Sequence, residues 1–273
     1  MMANADASRV MAREMRKDML RMALKAGASG AHLGGSLSST EILAVLYRDI
    51  LRLDSSRWEE RDRFILSKGH CVMAQYAAMH QAGLLSAEDL AKFEEPDSWL
   101  CSHATMNIEQ GMEFSTGSLG QGLSLGVGTA LALQQKHLSE ARIFVLMGDG
   151  ECDEGQVWEA AMAAAHYRLD RLRVIIDVNG MQLDGKTCEV LHQGDLVAKW
   201  AAFGWDACAV DGHDEEALRQ TLKKESECPR AIIARTVKGK GISFMENAVA
   251  WHHGRLGRKQ FDLALSELEN TSC

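Results

Sequence analysis

Proline is scarce: Pro96 and Pro229 are the only two in 273 residues. Proline-rich linkers and collagen-like repeats are thereby excluded, and no Ser/Gly-rich or low-complexity stretch stands in for them. No internal repeat is detectable, which sets aside solenoids and propellers. With nothing marking a boundary, residues 1–273 read as a single domain with an N-terminal helical arm and a C-terminal helix. Long apolar runs are also absent, although 46% of the residues are hydrophobic. That content can bury a sizeable core, yet no run reaches the length of a membrane span. The opening MMANADASRVMAREMRK is charged throughout and lacks an apolar stretch before a small-residue cleavage site. A cytoplasmic protein with no membrane partner is expected.

Paired cysteine motifs are missing as well. Cys71, Cys101, Cys152, Cys188, Cys208, Cys228 and Cys273 are odd in number, far apart and never arranged C-x-x-C. They read as buried or idle thiols, neither a disulfide framework nor a zinc site. There is no excess of positive charge: 30 basic residues face 38 acidic ones for a net charge of −8, with Lys and Arg scattered. Nucleic acid is not an expected partner.

What is present is periodicity. Met11, Met15, Met19 and Met22 recur at three- and four-residue steps and predict a helix over residues 8–25 with a core-facing methionine stripe. A second helix is expected after Ser39, capped by Ser39 or Thr40 and burying Ile42, Leu43, Leu46 and Tyr47. Short apolar runs at 64–66, 143–147, 174–177, 207–210 and 231–234 alternate with helical stretches such as 156–166, 215–224 and 258–269. Such runs suit strands covered on both faces. The expected class is α/β, a mainly parallel sheet of about five strands with helices on both faces and its ligand at the carboxyl ends of the strands.

The segment 143–185 is the most informative: a strand, GDGECDEG, an Ala-rich helix, a second strand, then DVNGMQLDG. Asp149 and Asn179 each fall just past a buried strand. Hard cations such as magnesium want oxygen ligands in near-octahedral geometry, a few from protein and the rest from phosphate or water. Asp149, Asn179 and the Met181 carbonyl can supply such a face. Gly148 and Gly150 permit close backbone approach, and the amides opening the next helix favour an anion, so a diphosphate fits the same place. Taken singly, the two pieces also read as a turn-capping Asp and an ordinary Asn-Gly turn.

These residues closely resemble the transketolase family. GDG followed about thirty residues later by Asn is the thiamine-diphosphate signature, and SGAHLGG (29–35), LSKGH (66–70), STGSLGQGLS (115–124), GDGECDEGQVWEA (148–160), AFGWDACAVDGHD (202–214), TVKGKGISFMEN and WHHG (236–254) follow in family order. The resemblance implies a thiamine-diphosphate-binding fold and a cofactor that carries carbon–carbon cleavage. It assigns magnesium, with calcium or manganese able to substitute, to Asp149, Asn179 and the Met181 carbonyl. It places Gly148, Gly150, Glu151, Asn179 and Lys238 at the cofactor, with Gly117 and Leu119 of the TGSLG loop beside the aminopyrimidine. Glu154 matches an acid between the two cofactor sites of a dimer.

Four histidines, His32, His70, His103 and His252, match those that line the channel above the thiazolium and move protons; His70, His252 and His253 are also cofactor contacts. His80, His137, His166, His192 and His213 are read as structural. Three segments depart from the pattern. An Ala separates Gly30 from His32, His103 lacks its usual Gly-His-Pro context, and WHHG offers His253 beside the better-spaced His252.

The implied reaction transfers a two-carbon ketol unit from a ketose to an aldehyde or aldose. The family's activating Glu lies in a pyrimidine domain, so the expectation is a separate C-terminal subunit in a two-of-each heterotetramer. Two other readings stand beside this one: an acyloin-forming half resembling deoxyxylulose-phosphate synthase, and a catalytically silent cofactor-binding scaffold.

Overall fold

The computed structural model describes residues 2–53, 55–138 and 140–270. Its strands are β1 (Arg63–Leu66), β2 (Ile143–Gly148), β3 (Leu172–Val178), β4 (Met181–Gln182), β5 (Gly185–Lys186), β6 (Asp206–Asp211) and β7 (Arg230–Arg235). Five of them form one parallel sheet in the order β1-β2-β3-β7-β6, while β4 and β5 make a separate two-residue antiparallel ribbon. The α/β class and the five-stranded parallel sheet are those expected.

Side chains alternate across a strand, and each face of this sheet carries its own core. Phe64, Leu66, Phe144, Leu146, Ile175 and Ile232 face the helices Met2–Ala26, Thr40–Val45, Val72–Gln81 and Arg258–Asn270. Ile65, Val145, Met147, Val174, Ile176 and Ile233 face Gln121–Gln135, Gly155–His166 and Leu196–Ala202. Burial on both faces explains why these strands are continuously apolar. The run at 207–210 departs from that expectation: only Val210 in β6 is buried, whereas β1, at the opposite edge of the sheet, is covered.

The methionine stripe behaves as expected, with Met15 and Met19 wholly buried beneath Met2–Ala26. A helix does follow Ser39, Thr40–Val45, with Ser39 at its N-cap position and Ile42, Leu43, Leu46 and Tyr47 buried. A short helix, Leu33–Ser38, precedes it, and the Ser39 side chain makes no capping bond. The Ser39 hydroxyl bonds instead to the Gly35 carbonyl at 2.9 Å and to Asp177 at 3.1 Å. A buried carboxylate needing donors outcompeted the helix terminus.

The connections decide where a ligand can sit. After β3 the chain moves to the edge strand β6 and returns to β7 beside β3, so the exits of β1, β2, β3 and β7 gather at one end of the sheet. In open α/β sheets that end is where ligands bind.

Candidate active site

A cavity of about 290 Å³ opens at this end. Asp149 follows β2 directly and Asn179 follows β3, as the sequence requires. The Asp149 carboxylate accepts N–H bonds from Gly150 (2.9 Å) and Gly180 (2.8 Å). The Asn179 Oδ1 accepts from the Met181 N–H at 3.1 Å. Burial, then the neighbouring Asp177, pushes the Asp149 carboxyl up to about 6. A carboxylate destabilised in this way gains most from a cation.

Opposite these oxygens lie two buried lysines. Lys238 donates to the Met181 carbonyl at 3.4 Å and meets His252 Nδ1 at 3.0 Å; burial and then Lys68 hold it below its ordinary value. Burial alone would lower Lys68, but its ion pair with Asp177 overrides this and holds it above. Gln182 packs close over Gly150, so that an added Cβ would lie 2.7 Å from its Oε1 and displace that side chain. Two cavity-lining residues carry buried polar atoms with no partner, His32 Nδ1 and Gln182 Nε2. Acidic and amide oxygens, two ammonium groups, a bare glycine backbone and orphaned polar atoms together fit a metal diphosphate.

The histidines converge on His32, which precedes the helix Leu33–Ser38. Its ring centroid lies 5.4 Å from His70, 5.1 Å from His103, 5.8 Å from His252 and 4.5 Å from His253. His32, His70, His103 and His252 line the cavity; His253 is exposed behind His32 and does not. Burial, then the other imidazoles, pulls His32 down to about 3. Burial, then Lys238, pulls His252 to about 4, and burial with Lys68 holds His70 well below 6.5. At neutral pH each is an uncharged ring with one donor and one acceptor, matched to sugar hydroxyls.

This has a consequence for stability. Below pH 6.5 the unfolded chain protonates these rings, while the folded chain resists until about 4 at His252 and about 3 at His32. The contribution of these rings to stability is therefore level above pH 6.5 and falls as pH drops from 6.5 toward 4, while the raised Asp149 carboxyl works in the opposite sense below about 6. Urea titrations at about pH 7.5 and about pH 5 should show this loss, and His32→Asn should shrink it. Equal pH sensitivity in the variant would contradict the assignment.

Glu151 lies at the cavity wall, but its oxygens are already engaged. It accepts from the Ser67 hydroxyl, Gly120 N–H (3.0 Å) and Gly148 N–H (3.1 Å), joining the exits of β1 and β2 to the TGSLG loop. All three partners donate, so Glu151→Gln turns an amide donor toward at least one of them. A loss of about 1–3 kcal/mol in denaturant titration is expected, and unchanged stability would show that the three loops do not depend on it. Gly117 lines the cavity, whereas Leu119 stands outside it and is exposed. Glu154 is at the exposed rim.

Several site residues escaped the sequence reading. Asp177, wholly buried at the end of β3, accepts from Lys68, Thr236, Ser38 (2.6 Å), Ser39 (3.1 Å) and Asn179 Nδ2 (3.3 Å). Its signal was an acid closing the apolar run VIID, beside a Lys in LSKGH. Gln193, which donates to the Asp149 carbonyl and to Asp153, gave no signal at all. Of the histidines read as structural, His80 bonds Asp18 at 2.8 Å and His213 bonds Glu41 at 2.9 Å, both away from the cavity.

Known proteins resemble this chain in sequence and in fold. Residues 9–269 match the family described as transketolase, thiamine diphosphate binding domain. The chain is 43% identical over 243 residues to the 6-deoxy-6-sulfo-D-fructose transketolase subunit of Clostridium sp. (strain MSTE9), covering 87% of this chain and 88% of that protein. It is 40% identical over 258 residues to an apulose-4-phosphate transketolase subunit of Phocaeicola vulgatus, covering 93% and 90%. The transketolase from Leishmania mexicana superposes with a TM-score of 0.87 at 27% identity, covering 96% of this chain and 41% of that one. The chain thus spans about two-fifths of that solved transketolase and most of the length of the two subunit relatives. With a match running from residue 9 to residue 269, the chain belongs to the transketolase family of thiamine-diphosphate-binding domains.

Proposed function

We propose that this chain is the diphosphate-binding, N-terminal subunit of a transketolase that moves a two-carbon ketol unit from a ketose to an aldose. The observation that carries the reading is one cavity holding Asp149, Asn179, Lys238 and four histidines at the exits of the parallel strands. Thiamine diphosphate, when bound, supplies the electron sink for breaking and making the carbon–carbon bond. Asp149, Asn179 and the Met181 carbonyl would hold magnesium, or calcium or manganese in its place. Lys238, Gly150 and Gln182 would meet the diphosphate, and Gly117 the ring system.

His32, His70, His103 and His252 would bind substrate hydroxyls and move protons between them. An anion seated against Lys68 and Lys238 would offset the repulsion that lowers His70 and His252, bringing both nearer the range useful for proton transfer.

The partner is proposed to be a separate pyrimidine-domain chain, in a cytoplasmic two-of-each assembly with residues 1–273 as one domain. Two relatives of similar length are themselves called subunits. Leu183, which lines the cavity, and Leu119, next to the lining residues Gly117 and Ser118, stand exposed where a second chain would cover them. Among the described residues no helix is long and apolar enough to cross a membrane.

The reaction class is tested by offering the assembled enzyme either a ketose or pyruvate as donor with an aldose acceptor. Turnover with the ketose and none with pyruvate is expected. Turnover with pyruvate alone would move the assignment to the acyloin-forming sister chemistry, and turnover with neither would favour a scaffold.

A further inference from the structure

The segment Asp211–His213 belongs to the family-like pattern yet contributes nothing to the cavity. Its histidine lies behind the loop that carries Lys238. His213 Nε2 accepts the Val237 N–H at 2.9 Å, and Nδ1 lies 2.9 Å from Glu41 Oε2. Because Nε2 is an acceptor here, the ring is neutral with its proton on Nδ1, donating to Glu41. Burial alone would raise the Glu41 carboxyl, but Arg16 overrides this and pulls it to about 2, so it is ionised and able to accept.

The chain of contacts continues to the far side of the same loop. Glu41 Oε1 accepts from Arg16 Nη2 at 2.6 Å, and Arg16 Nε donates to the Lys240 carbonyl at 3.0 Å. Gly241, at φ 94°, rests on the guanidinium so closely that an added Cβ would lie 2.7 Å from Arg16 Nε. The backbone is thus gripped at Val237 and again at Lys240, with Lys238 between the two grips. Lys238 is 2% exposed and projects the other way, to His252 and the Met181 carbonyl.

We infer that Arg16, Glu41 and His213 form a positioning relay that fixes the loop 237–241 from behind and so aims the Lys238 ammonium at the diphosphate. The inference rests on the proposed cofactor reading and deepens it. None of the three residues lines the cavity. They act through Lys238, as the outer partners of a metal ligand act through that ligand.

The experiment uses the assembled enzyme with magnesium and two probes, thiamine diphosphate and inorganic diphosphate, with dissociation constants measured by calorimetry. His213→Ala is expected to weaken both probes by about ten- to a hundredfold. At saturating cofactor the KM for the ketose should stay near wild type, the main loss being read in cofactor affinity. His213→Gln, whose amide oxygen can replace the Nε2 acceptor, should recover most of the affinity. In a double-mutant cycle with Lys238→Ala the losses should be strongly non-additive, because both remove the same contact.

Wild-type affinity in His213→Ala, or losses that simply add to those of Lys238→Ala, would overturn the relay. If His213→Ala does not fold, Glu41→Gln gives the same readout and is judged the same way. Wild-type enzyme that binds inorganic diphosphate but not thiamine diphosphate would overturn the cofactor reading, while the relay is still judged on the inorganic probe. Failure to bind either probe would overturn both.

Discussion

Asp149→Ala is expected to remove cofactor binding from the assembled enzyme. Asp149 is the one carboxylate in the candidate metal set, whose other members are an amide oxygen and a backbone carbonyl. Without it the charge of a bound diphosphate is poorly neutralised. Loss of an outer partner of a metal ligand already costs about ten- to a hundredfold in affinity, so loss of the anionic ligand itself should cost more than about a hundredfold.

The alanine also orphans two N–H groups, those of Gly150 and Gly180. Asp149→Asn removes the charge but keeps one acceptor, turning its amide toward only one of the two N–H groups, so it loses less of the local bonding than the alanine does. Calorimetry should find both variants defective in binding, with the asparagine variant nearer wild type in stability. Unchanged cofactor affinity in either would remove Asp149 from the metal site.

His32→Ala should act on turnover instead. Its ring stands between His70, His103 and His252 and touches neither lysine of the diphosphate side. A positioned proton carrier is typically worth about a hundred- to ten-thousandfold in rate, and a loss in that range is expected with cofactor affinity retained. His252→Ala should be less selective, because His252 also meets Lys238 at 3.0 Å and its removal disturbs both functions. Wild-type turnover in His32→Ala would return the residue to a packing role.

The sequence displayed those parts of the site that follow from local pattern. Asp149 and Asn179 could be placed because β2 and β3 are short, apolar and bounded, so the first polar residue after each marks the carboxyl end of the sheet. The Lys68 and Asp177 pair could not. The two are 109 residues apart, and their meeting depends on β2 lying between β1 and β3.

Ser39 does mark a helix start, yet its hydroxyl serves the buried Asp177 where local capping chemistry predicted a cap bond. The helix Gln121–Gln135 drew no expectation, because three glycines weaken its local propensity. The structure supplies their purpose at two of them. Gly122 lies against Ser67, and Gly126 against Val145, where an added Cβ would stand 2.8 Å from Cγ2. Close helix-to-sheet packing required residues that argue against a helix when read alone.

The central claim is that this chain furnishes the diphosphate half of a ketol-transferring site and that a second chain completes it. It is tested most directly by assaying ketol transfer on material whose mass is measured in the same run by light scattering, with magnesium and thiamine diphosphate present. The account predicts no transfer from the purified chain alone, and transfer at the mass of a two-of-each assembly once a pyrimidine-domain chain is added. Robust transfer from the purified chain at the mass of a monomer would contradict it.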